Sequence, residues 1–120
     1  MGPDMKDIED LRQAVAEFAR ERDWEQFHSP KNLAMALSVE VAELLEHFQW
    51  LTEKEAGQLD AETAAKVAEE IADVQIYLVR LADKLGIDIL DSADKKLVKN
   101  AEKYPVGKAR GSAKKYTDLD

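Results

Sequence analysis

The feature that most constrains this chain is its helical periodicity. Apolar residues recur three and four apart through most of the sequence, two-residue alternation never lasts, and Ala, Leu, Glu and Lys dominate. The spacing predicts a first helix over about Met5 to Asp23, with Ile8, Leu11, Val15 and Phe18 on one side. A loop, Trp24-Glu25-Gln26-Phe27-His28, leads to Ser29-Pro30, an N-cap followed by proline at the first helical position. The second helix is expected to run to about Leu51. Thr52-Glu53-Lys54-Glu55 fits a capping box that opens a single turn closed by Gly57. Asp60 can cap a long third helix from about Ala61 to Leu85, ended by Gly86. Asp88 and Asp91 open a fourth, which stops before Pro105. Val106 to Asp120 has two glycines and no apolar stripe and reads as an extended tail.

Four helices with short connections imply an all-α, four-helix bundle-like domain over residues 5–105, followed by the basic tail 106–120. The start, residues 1–4, reads as a vector remnant before Met5. With 120 residues and 45% hydrophobic side chains the chain suits one domain with a core, and composition excludes a disordered chain. A core this small can leave apolar surface over, so self-association is a reasonable expectation. Cysteine is absent, which excludes disulfides and thiolate metal sites. No apolar run reaches membrane-spanning length and no signal pattern opens the chain, so a cytoplasmic protein is the expectation.

A net charge of −8 argues against a binder of nucleic-acid polymers. The charge is unevenly placed. Residues 1–60 hold 14 acids and 6 bases, whereas 61–120 hold 11 of each. Within 95–115 stand eight bases and one acid, Glu102. Such a run reads either as a solvated tail or as a wall that faces phosphates.

One internal similarity carries chemistry. Glu40-Val41-Ala42-Glu43-Leu44 resembles Glu70-Ile71-Ala72-Asp73-Val74, and each segment holds two carboxylates one helical turn apart. At about 100° per residue, Leu33, Leu37, Val41, Leu44 and Phe48 fall on one flank of the first glutamate. Val67, Ile71, Val74, Leu78 and Leu81 do the same on the third helix. The second acid of each pair falls roughly 60° the other way. Both pairs thus occupy the same shoulder of an apolar stripe, and helices joined by those stripes can gather four acids. Clustered carboxylates repel and resist burial unless they protonate or hold a cation. Mg²⁺ suits an oxygen-only set best. Solvated surface pairs, or neutralisation by Lys66 four residues before Glu70, are the competing readings.

At these residues the chain resembles the MazG-like all-α nucleotide pyrophosphohydrolases, whose E-x-x-E and E-x-x-D motifs match Glu40, Glu43, Glu70 and Asp73. It is similar in particular to their dCTP pyrophosphatase branch. That likeness is carried by Arg22 through His28, Phe48-Gln49-Trp50, Ile76 through Val79, Asn100 through Tyr104-Pro105, Arg110 through Ala113 and Lys115 through Asp118. It extends over about Ile8 to Leu119, while Leu51 to Lys66 departs in length and composition from vertebrate-like members.

The resemblance implies Mg²⁺-dependent cleavage of a nucleoside triphosphate, dCTP or a modified dCTP, to the monophosphate and pyrophosphate. Another (d)NTP, or a non-catalytic nucleotide-binding helical oligomer, is the alternative. It implies metal ligation by Glu40, Glu43, Glu70 and Asp73, with Glu40 and Glu43 catalytic and Glu43 preferred for handling the attacking water. It maps substrate contacts to Trp24, His28 and Trp50 around the base, to Tyr77 one turn after Asp73 on the metal side of the stripe, and to Lys96, Asn100, Lys103 and Tyr104 near phosphates and sugar. Without it, the tryptophans would read as packing residues and His28 as a hydrogen-bonder of its loop. The implied assembly is a homodimer or homotetramer, with the tail closing over triphosphate or docking on a neighbouring subunit.

Overall fold

A computed structural model describes residues 4–120, so the expected vector remnant lies outside the described residues except for Asp4. Every regular element among them is helical: α1 (Ile8–Glu21), α2 (Pro30–Glu46), α3 (Glu53–Ala56), α4 (Ala61–Lys84), α5 (Ile89–Lys103) and α6 (Val106–Ala109). Two 3₁₀ turns, Glu25–Phe27 and Tyr116–Asp118, complete the set. None of these helices is long and apolar enough to cross a membrane.

The helix starts follow from side chains that satisfy free backbone N–H groups. Asp7 accepts from the Asp10 N–H, Ser29 from Asn32, Asp60 from Thr63 and Asp88 from Asp91. Thr52 and Glu55 form the reciprocal capping box around α3. The two long stops use a left-handed residue. Gly86 (φ 66°) lets the Ile87 N–H reach the Ala82 carbonyl at 2.8 Å and ends α4. At the end of α1 Asp23 (φ 55°) takes the same role, with the Trp24 N–H on the Ala19 carbonyl at 2.9 Å. Asp tolerates this conformation better than most residues with a side chain.

By packing, the chain forms two compact units, Met1–Ile87 and Asp88–Asp120. The first is organised by α4, which packs against both α2 and α1. Its 24 residues make a rod of about 36 Å. Ala19, Leu33, Val67, Val79 and Ala82 form its buried apolar centre, Leu33 and Val79 being 2% and 1% exposed. The second unit joins α5 to the C-terminal residues, so packing divides the chain at the Gly86 turn whereas composition shifts at Pro105.

Several expectations are corrected. The second helix stops at Glu46, where turns take over through Phe48 and Gln49 N–H groups that both bond the Leu45 carbonyl. The first begins at Ile8, because Asp7 caps it. The tail is not extended throughout: Pro105 presets the turn of α6, and Tyr116–Asp118 forms a 3₁₀ turn. The apolar flanks are only partly covered. Leu37, Leu44, Phe48, Val74 and Leu81 are half-buried as expected, but Val41, Ile71 and Leu78 are exposed. A stripe of this width presents more surface than the neighbouring helix conceals.

Candidate active site

The α2–α4 contact decides the fate of the two acid pairs. One carboxylate oxygen from each of Glu40, Glu43 and Glu70 lies within 4.8 Å of the other two, and all three side chains are half-buried. The Oε2 atoms of Glu40 and Glu70 are sequestered from solvent with no hydrogen-bond partner. Asp73, one turn beyond Glu70, is half-buried and stands outside this close triad, although its charge acts on Glu40. Burial, then the neighbouring Glu70 and Glu43 carboxyls, then the charges of Glu43 and Asp73 push the Glu40 carboxyl up from 4.5 to about 7. Lys66 offers no relief, since it pairs with Glu62 at 3.4 Å. Converging, partly buried oxygens without a cationic partner are the donor set that a hard divalent cation requires.

A second cluster lies further along α4. Arg80 is 3% exposed, the one charged side chain fully buried among the described residues. Its Nε donates to His28 Nδ1 at 3.1 Å and its Nη1 to Asp83 Oδ2 at 3.3 Å, while Glu25 Oε1 stands 3.8 Å from Nη2. Asp83 is shared: Arg12 of α1 reaches its other oxygen at 3.2 Å and also pairs with Glu9. His28 in turn meets Trp24 edge-on at 6.4 Å between ring centres, and Trp24 meets Phe18 at 5.7 Å. The loop after α1 is thereby tied to α1 and to α4. On α4 the residues Glu70, Asp73, Tyr77 and Arg80 follow a single ridge, for Asp73, Tyr77 and Arg80 are spaced four and three apart.

The sequence reading missed Arg12, Arg80 and Asp83. The available signal was Arg80 itself, a lone cation in the apolar run Val74 to Ala82 and in phase with Asp73.

Residues 35–119 match the model of the MazG-like family. The chain belongs to that family. Over 114 residues it is 49% identical to dCTP pyrophosphatase 1 of Mus musculus and 47% identical to that of Homo sapiens, covering 93% of this chain and 67% of each relative. The crystal structure of a pyrophosphatase from Archaeoglobus fulgidus superposes with a TM-score of 0.78 at 40% identity, covering 88% of this chain and 98% of the other.

In this MazG-like chain the family match takes in both acid motifs, while Trp24 and His28 precede it. The remaining anticipated residues are dispersed. Tyr77 is half-buried on the α4 ridge, and Trp50, just after α2, is 86% exposed. Lys96, Asn100, Lys103 and Tyr104 all belong to the second unit. There Asn100 is half-buried, Tyr104 meets Tyr116 edge-on at 6.0 Å, and the Lys103 Nζ lies 4.8 Å over the Tyr116 ring. These contacts order α5 against the C-terminal residues and occupy one face of Lys103.

Proposed function

We propose that this MazG-like pyrophosphohydrolase hydrolyses dCTP, or a base-modified dCTP, to dCMP and pyrophosphate with the help of Mg²⁺. The observation that carries the reading is the convergence of Glu40, Glu43 and Glu70 with two sequestered, unpartnered oxygens. A protein that had no cation to bind would gain by losing one of these charges. Glu40, Glu43, Glu70 and Asp73 would hold Mg²⁺, which neutralises triphosphate charge and makes water more acidic. The similarity to dCTP pyrophosphatases supports the choice of nucleotide.

The carboxylates have two tasks in this scheme. By holding Mg²⁺ they would anchor the triphosphate with its α-phosphorus open to a water, and Glu43 would orient that water and accept its proton. The water oxygen bonds to the α-phosphorus as the bond to the α–β bridging oxygen breaks, and pyrophosphate departs with that oxygen. Trp24, Trp50 and Tyr77 supply ring faces and an edge for the base, which stacking accepts without distinguishing its identity. His28 supplies a polar contact that can distinguish it. Lys96, Asn100, Lys103 and Tyr104 are assigned to phosphate and sugar contacts.

The exposed apolar residues of α2 and α4, including Val39, Val41, Leu45, Ile71 and Leu78, support assembly as a homodimer or homotetramer. Light scattering after gel filtration tests this, and a monomer at micromolar concentration rejects it. The activity is tested by incubating the protein with a panel of triphosphates and Mg²⁺. Equimolar dCMP and pyrophosphate are expected, and release of orthophosphate instead rejects the cleavage position.

A further inference from the structure

Arg80 has no part in the chemistry described so far, yet among the described residues it is the most deeply placed charge. Removing a guanidinium from water is costly unless its donors are engaged. Here Nε and Nη1 are committed to His28 and Asp83, and Asp83 is itself gripped by Arg12. The Nη2 donor has no hydrogen-bond partner. Such an arrangement stabilises the fold poorly for what it costs, but it holds the imidazole in one state.

The direction of the His28 bond is the decisive point. A guanidinium has donors only and stays protonated. The ring nitrogen that faces Arg80 Nε must therefore carry a lone pair, and in a neutral imidazole the proton then sits on Nε2. We propose that Arg80 is a positioning residue for base selection: it fixes His28 as the Nε2–H tautomer, so that His28 presents a hydrogen-bond donor to the nucleobase and favours cytosine over thymine or uracil. Cytosine offers an unprotonated ring N3 that accepts such a bond, whereas N3 of thymine and uracil carries a hydrogen. The inference deepens the reading of His28 as a base contact and rests on it.

Two further features agree. Burial, followed by the charges of Arg80 and Lys84, lowers the His28 pKa from 6.5, with Glu25 acting in the opposite direction, so the ring stays neutral near pH 7. Asp73 and Arg80 stand seven positions apart on α4, about 10 Å along the axis, which suits a nucleotide whose phosphates lie at the acids and whose base lies at the histidine.

The tautomer is measured on the nucleotide-free protein by ¹⁵N–¹H correlation of the imidazole nitrogens, with His28→Gln separating its signals from those of His47. The wild-type Nδ1 should be unprotonated, and Arg80→Met should restore exchange between tautomers while Arg80→Lys, which keeps a donor, retains the bias. Binding of dCMP and dTMP by calorimetry supplies the second readout and requires no hydrolysis. Arg80→Met and His28→Gln should each reduce the preference for dCMP about tenfold, the worth of one buried donor-acceptor match. A protonated Nδ1 in the wild type, or an Arg80→Met protein with unaltered tautomer and preference, overturns the proposal. Should Arg80→Met fail to fold, the wild-type tautomer and the His28→Gln preference decide it. Failure to release pyrophosphate rejects the proposed activity without altering either readout.

Discussion

The ridge of α4 carries two charged clusters with opposite logic. At Glu70 the neighbours are like charges from α2, and two oxygens are left without partners. At Arg80 the charges alternate, from Glu9 to Arg12 to Asp83 to Arg80, and the chain of contacts ends on a neutral imidazole. The first cluster is electrostatically incomplete, so a ligand can complete it. The second is largely complete within the protein and serves to hold its members still. A partly buried charge is thus informative according to what is missing around it. Unrelieved repulsion leaves room for a cation, while alternation relieves itself within the protein.

The sharpest way to break the comparison is to remove an acid from the first cluster. Glu40→Ala or Glu70→Ala should lower Mg²⁺-dependent turnover by about 10³-fold, roughly 4 kcal/mol of transition-state stabilisation. Thermal stability without metal should hold or rise as repulsion falls. Pyrophosphate release and melting by circular dichroism measure the pair, and retained turnover removes that carboxylate from the site. The second cluster should respond in the reverse sense. Asp83→Ala leaves Arg80 and Arg12 without their shared anion and should cost about 3 kcal/mol in urea unfolding. A loss below about 0.5 kcal/mol would place the pair among ordinary surface contacts.

Metal and pH sharpen the contrast. The Glu40 carboxyl is raised from 4.5 to about 7, so the folded state retains a proton that the unfolded state releases. Its stabilisation is present below pH 4.5 and is lost as pH rises through about 7. Mg²⁺ should reverse that loss, by about 2.7 kcal/mol at a hundredfold excess over its Kd, and should release protons on binding. Melting temperature across this range with and without Mg²⁺ tests it, and a Mg²⁺ effect that does not grow with pH contradicts it. The smallest effect is expected far from both clusters. Asp60→Ala removes the cap of α4 and should cost about 1 kcal/mol with no change in the Mg²⁺ dependence of turnover. A shifted Mg²⁺ requirement would mean that loosening α4 as a whole mimics loss of a ligand.

Much of the scaffold was legible from short-range chemistry. Ser29, Thr52 with Glu55, Asp60 and Asp88 cap the helices that the sequence assigns to them, because a cap bond spans three residues. The end of α1 was less legible, since Asp23 supplies a left-handed stop usually read from glycine. Two acid pairs on matching shoulders were visible as well. That Asp73 stands apart from the closest three carboxylates was not, for helical phase gives the direction of a side chain but not its reach. Trp50 shows the same limit: its ring is exposed, although the sequence gives no reason to place it in water.

By itself the sequence determined that the chain is helical, where its long helices start, and that acids recur one turn apart on two of them. These are consequences of bonds and contacts closed within four residues. Tertiary structure alone decided that residues 30 positions apart, Glu40 and Glu70, share one site, and that Arg80 is buried against a histidine 52 positions away. Those outcomes depend on how helices rotate and slide as they pack, a choice made by the whole apolar surface and not by any local segment.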